Sequence, residues 1–220
     1  MAEKYGEIPK KFTKDWWEYI WDYYKVHILV IVAIMLLIIF GYNQQRNMEK
    51  YDFNVNFIDN SYMLETEFDL LKNTINELID DTDQNGVKST LIQEFPISDA
   101  TEDPQFTQAI LSKLQLQFVT QDTMLYIFDK DTSKYIFNSQ DYQEAFMPVD
   151  EWLETDVTND LLYTYNGVSR AVSLKNSSLL KNSSILDKDL YIAVRSFTTD
   201  DEKILNTINL SKKVANALMK

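Results

Sequence analysis

The chain has 220 residues, a length that suits one domain plus a membrane anchor. Its formal net charge of −13 argues against nucleic acid and anionic lipid as partners of the part that carries it. The absence of Cys excludes disulfides, thiolate metal sites, thiol catalysis and a lipid anchor on Cys.

The charge is unevenly placed. Residues 1–25 hold five Lys against five acids, whereas residues 43–220 hold 16 basic against 29 acidic groups. Divalent or organic cations and basic proteins are the partners such an acidic part favours.

The first element is "FTKDWWEYIWDYYK". Lys14, Glu18, Asp22 and Lys25 form one polar stripe at helical spacing, and aromatics cover the remaining surface. Trp16, Trp17, Trp21, Tyr23 and Tyr24 are residue types that collect where a bilayer meets water. The pattern predicts an interfacial helix over residues 1–25 that then turns into a membrane span.

The span is "VHILVIVAIMLLIIFGY", residues 26–42, with no charge between Lys25 and Arg46. No polar residue defines a wet face, which favours a transmembrane helix over a buried core helix. The long aromatic leader and the lack of an A-x-A site in "GYNQQRN" favour an uncleaved signal anchor over a cleaved signal peptide. Five Lys precede the span and Arg46 and Lys50 follow it, which predicts a cytoplasmic N-terminus and an extracellular C-terminal domain. His27, the only His, sits at the inner boundary of the span.

Residues 43–50 read as a polar linker, and residues 51–220 as one extracytoplasmic α/β domain. "DFNVNFID" alternates as a strand wet on one face does. "MLETEFDLLKNTINELI" places Leu64, Phe68, Leu71, Ile75, Leu78 and Ile79 at helical spacing. The next stretch, "DTDQNG", fills the first, third and fifth positions of a calcium loop with Asp81, Asp83 and Asn85. Gly86 supplies the sharp turn and Val87 a carbonyl. Position twelve is Ile92, so the bidentate carboxylate is missing, and a strand follows where a calcium-binding hand needs a helix. Two readings stay open: a polar Asn-Gly turn, and a low-affinity Ca2+ site.

"VKSTLIQEFPI" returns to a strand pattern. "DPQFTQAILSKLQLQFV" reads as a helix capped by Asp103 with Pro104 at its first position. "TMLYIFD" and "LYIAVRS" are continuously apolar, as strands buried on both faces are. "SRAVSL" is a further strand candidate, and "SQDYQEAFMPVDEWL" suggests short turns broken at Pro148. The chain closes in a helix over "TDDEKILNTINLSKKVANALM" with Thr199 or Asp200 as cap. Alternating strands and helices predict a mostly parallel, mixed sheet flanked by helices.

"LSKLQLQFVTQDTMLYIFD", followed by "YQEAFMPVDEWL" and "GVSRAVSLKNSSLL", resembles one lobe of a type II extracytoplasmic solute-binding protein. In that family a helix leads into a strand that ends near an Asp. An aromatic–x–Pro–aliphatic–Asp segment follows, matched here by Asp129, Phe146, Pro148, Val149 and Asp150. About 170 residues supply one lobe where the family uses two. The aromatic helix plus single span is similar to uncharacterised membrane-anchored proteins of Gram-positive bacteria.

Catalysis has little support in the residues. His27 lies at the membrane boundary, and Ser178–Lys181 has S-x-x-K spacing without its companion motifs. The expected function is non-enzymatic. It is a membrane-tethered scaffold or accessory module that holds a ligand, or another membrane or cell-envelope protein, near the bilayer. The alternative is solute capture for a transporter, with Tyr163, Tyr165 and Arg170 near a strand end as candidate ligand contacts.

Overall fold

The computed structural model describes residues 9–46, 51–60, 63–82, 84–97, 103–120, 122–137, 145–181 and 183–220. It divides into two compact units, residues 1–49 and residues 50–220.

Among the described residues, the first unit holds one helix, α1 (Lys14–Arg46). The sequence predicted an interfacial helix turning into a span near Lys25; the helix runs straight through. From Lys14 to Phe40 no Pro or Gly interrupts the i→i−4 ladder, so nothing breaks it there. The same continuity carries it into the expected linker, as far as Arg46.

The second unit is a six-stranded sheet in the order β2-β1-β3-β6-β5-β4. The strands are β1 (Phe53–Asp59), β2 (Thr90–Pro96), β3 (Leu125–Asp129), β4 (Leu162–Tyr165), β5 (Val168–Ser173) and β6 (Leu190–Val194). The helices are α2 (Glu65–Leu78), α3 (Pro104–Thr120), the single turn α4 (Ser133–Phe137) and α5 (Glu202–Leu218).

β1 pairs in parallel with β2 and with β3. β3–β6, β6–β5 and β5–β4 are antiparallel. The sheet is therefore mixed, and the expected parallel majority is corrected. The strand that overturns it is β6, whose apolar run is equally compatible with either direction once both of its faces are buried.

Two crossovers explain the layers. β1–α2–β2 steps one way along the sheet, and β2–α3–β3 steps back over β1 the other way. Right-handed crossovers in opposite directions put their helices on opposite faces. Alternate residues of each central strand follow suit. Phe53, Val55 and Phe57 of β1, with Leu125 and Ile127 of β3, pack against Leu71 and Ile75 of α2 and Val214 and Leu218 of α5. Ile58, Tyr126, Phe128, Tyr191 and Ala193 face Leu114 and Phe118 of α3 and Phe137 of α4. A buried Asn fastens α5: Asn216 donates to the Trp152 carbonyl at 2.6 Å and accepts from the Glu154 amide at 2.8 Å.

Local chemistry sets the boundaries. Asp103 accepts from the Phe106 amide at 2.9 Å ahead of α3. The cap of α5 is Asp201, which accepts from the Lys203 amide at 2.8 Å. It is not Thr199 or Asp200; the Thr199 hydroxyl instead accepts from the Asp201 amide at 3.0 Å. β4 has no counterpart among the expected strands. Its signal is "YNG": Asn166 (φ 49°) and Gly167 (φ 80°) form the two-residue turn that joins it to β5.

Candidate functional site

Two features of the molecule offer function: the surface of α1 and the carboxyl ends of the parallel strands.

Tyr24–Gly41 is an 18-residue apolar stretch of α1, none of it buried. At about 1.5 Å per residue it is roughly 27 Å long, close to the thickness of a bilayer's hydrocarbon core. This helix is long and apolar enough to cross a membrane and fits a single-pass anchor. Trp17, Trp21 and Tyr24 are exposed. Trp16 packs edge-on against Trp17 at 4.9 Å and near Phe12 at 5.3 Å. Tyr23 lies in the same helix, and its side chain falls outside the described residues.

In the α/β domain the chain leaves β1 toward α2 on one face and leaves the adjacent β3 toward α4 on the other. Such a switch point opens a crevice beyond the strand ends, the usual ligand position in open α/β sheets. Here it is a cavity of about 210 Å³ lined by Asp59, Asn60, Asp129, Asp131, Lys188 and other polar groups.

The Asp59 side chain is fully buried and its Oδ2 lies 2.8 Å from Lys188 Nζ. Asp129 ties the two loops together: its Oδ2 accepts from the Asn60 amide at 2.8 Å and its Oδ1 from the Thr132 amide at 2.7 Å. Asn60 Nδ2 donates to Asp131 Oδ2 at 3.3 Å. Burial holds the Asp129 carboxyl above the usual carboxylate range, and hydrogen bonding with Asp59 adds to that; the two amide donors oppose it. Next to the crevice, the Ser184 hydroxyl donates to Glu67 and holds its carboxyl below the usual range. Burial pushes Glu94 up, against the Met63 amide that bonds it.

The arrangement gives two ammoniums, Lys130 and Lys188, and four carboxylates, Asp59, Asp129, Asp131 and Asp189, in a polar cleft, with Asp59, Asp129 and Asp131 engaged in the bonds above. Sequence reasoning marked Asp129 through a family resemblance but missed Asp59 and Lys188. The available signal was a carboxylate closing each of two apolar strand runs, "NVNFID" and "LYIFD".

The remaining candidates lie elsewhere. Asp81 Oδ1 and Oδ2 accept from the amides of Asn85 (3.2 Å) and Gly86 (2.7 Å), and Asn85 Oδ1 accepts from the Val87 amide (2.7 Å). The loop thus bonds itself, with Gly86 at φ 87°. Asp83 lies outside the described residues. Among the described residues, no group of three or more His, Cys, Asp or Glu is placed to hold a metal ion.

Tyr163 and Tyr165 share β4 and pack on Phe137 at 5.0 and 5.8 Å. Arg170 on β5 donates to the Phe146 carbonyl. The structure thus gathers all three on one hairpin, and none of them lines the Asp59–Lys188 crevice. In the segment from Phe146 to Asp150, Phe146 bridges to Arg195, and Pro148 precedes a short 3-10 turn at Val149–Glu151.

Comparison with known proteins found no matching family model, no matching curated protein and no matching solved structure.

Proposed function

We propose that this chain is a membrane-tethered, non-enzymatic binding module that holds a partner or ligand close to the bilayer. The observation that carries the reading is the apolar stretch Tyr24–Gly41, none of it buried, joined to a domain that closes its own core on both sheet faces. An 18-residue apolar surface needs an apolar surrounding, and the bilayer is the one whose thickness it matches. The Lys and Arg bias across the span supports a cytoplasmic N-terminus and an extracellular domain.

The non-enzymatic part of the reading rests on how the polar groups are used. The most enclosed carboxylates are engaged: Asp59 with Lys188, and Asp129 with two amides. The one His lies in the apolar helix.

Protease shaving of intact cells tests the topology. Residues beyond about 50 should be digested from outside. Protection in intact cells with digestion only after lysis refutes it. Release of the protein from membranes by alkaline carbonate would refute the anchor itself.

A second reading, solute capture for a transporter, is favoured by the cavity at the switch point. The path from α3 into β3, which ends at Asp129, is in keeping with the resemblance to one solute-binding lobe. A thermal-shift screen of sugars, amino acids and peptides separates the two. A captured solute at 100 times its Kd adds about 2.7 kcal/mol; a flat screen leaves the scaffold reading.

A further inference from the structure

A groove of about 720 Å³ lies at the opposite end of the sheet, where β1 begins. Its walls come from the entry to β1, the end of α3 and the first turns of α5. The volume falls in the range of ligand sites and exceeds three times that of the switch-point crevice.

The groove joins an acidic wall to an apolar floor. Asp52, Asp122, Asp201 and Glu202 line it against a single base, Lys203. Two of the acids have structural work: Asp52 accepts from Thr82 and Ser89, and Asp201 caps α5. The carboxylates of Asp122 and Glu202 are exposed and carry no hydrogen bond or ion pair among the described residues. Asn54 also lines the groove; its amide donates to the Asp122 carbonyl, while its Oδ1 has no donor. The floor is made by Phe53, Ile204 and Leu210. The groove therefore offers hydrogen-bond acceptors, negative charge and an apolar base together.

We propose that this groove docks a Lys- or Arg-bearing segment of a partner protein, with a basic side chain on Asp122 and Glu202 and an apolar neighbour on the floor. Charge complementarity selects the occupant: a basic segment brings donors to the two uncommitted carboxylates, and its apolar residue fills a floor that a small cation leaves open. An anionic lipid surface or another acidic chain meets repulsion here. The inference rests on the reading of the domain as a binding module and names the partner's chemistry. Its test needs no cell topology, so it can fail while the membrane reading stands.

The experiment uses the full-length protein in nanodiscs of zwitterionic lipid and a fluorescein-labelled Arg-Leu-Arg-Leu-Arg peptide, read by anisotropy at about 25 and 150 mM salt. Saturable binding that weakens with salt is expected. The double variant Asp122→Asn, Glu202→Gln should weaken it about tenfold. Asp156→Asn with Asp160→Asn removes the same charge at exposed sites elsewhere and should change it less than about twofold. Equal loss in both doubles means attraction to net charge alone and overturns the proposal. So does absence of binding at the lower salt, or competition by spermine as effective as by unlabelled peptide. Circular dichroism of each variant, unchanged from wild type, guards against loss through misfolding.

Discussion

Replacing Lys188 by Met isolates the ion pair that Lys188 makes with the buried Asp59. Its partner Asp59 has a fully buried side chain, and the two charged atoms are 2.8 Å apart. Met keeps most of the apolar stem and removes the ammonium. The Asp59 carboxylate is then left in the sheet's carboxyl end without its cation, a loss that costs about 3–5 kcal/mol for buried pairs. Lys188 is 23% exposed and the crevice admits water, so the low end, about 3 kcal/mol, applies. For a chain of this size that converts to a fall of roughly 6–12 °C in Tm.

The assay is thermal and urea unfolding of the soluble fragment 50–220, which carries both apolar clusters. Asp59→Asn in the Lys188→Met background removes the buried charge and should restore about 2 kcal/mol, so the two substitutions are strongly non-additive. A Lys188→Met cost under about 1 kcal/mol, or no rescue by Asp59→Asn, refutes the reasoning.

Glu94→Gln tests the pH linkage. Burial raises the Glu94 carboxyl, so the folded state takes up its proton more readily than the unfolded state; stability from this group is present in acid and lost as pH rises through its folded pKa. The Tm of the Gln variant should exceed that of wild type most at neutral pH, and the gap should close toward about pH 4; a gap that widens in acid contradicts the assignment. Asn56, fully buried on β1, has neither amide atom bonded among the described residues, so Asn56→Leu should raise stability by about 1–2 kcal/mol in urea unfolding. A loss of more than about 1 kcal/mol would show that the amide is needed. The 81–87 loop should be indifferent to calcium: Tm in about 5 mM calcium and in chelator should agree, because Asp81 and Asn85 spend their oxygens on backbone amides. A rise in wild type that vanishes in Asp81→Asn, Asp83→Asn would establish the site instead.

What the sequence determined by itself is what local period and composition control. The apolar run after Lys25 reads as a spanning helix because the seventeen residues 26–42, without a charge, leave no wet face. The strand period of β1, the continuous apolarity of β3 and β6, the Asp103–Pro104 start of α3 and the helical spacing of Leu71 and Ile75 were readable for the same reason: each depends on neighbours within a turn or a strand. The expectation that β1 is wet on one face is corrected: it lies between β2 and β3, and Asn56 and Ile58 on its second face are fully buried. Tertiary structure alone decided the rest. Burial on both faces erases the period that would tell a parallel strand from an antiparallel one, so the direction of β6 came only with the assembled sheet. The pairing of Asp59 with Lys188, 129 residues apart, and the meeting of Asp122 with Glu202 at one groove depend on which strand ends and helix starts the crossovers bring together. Residue type announced carboxylates throughout this acidic chain; only position in the sheet separated the buried from the solvated.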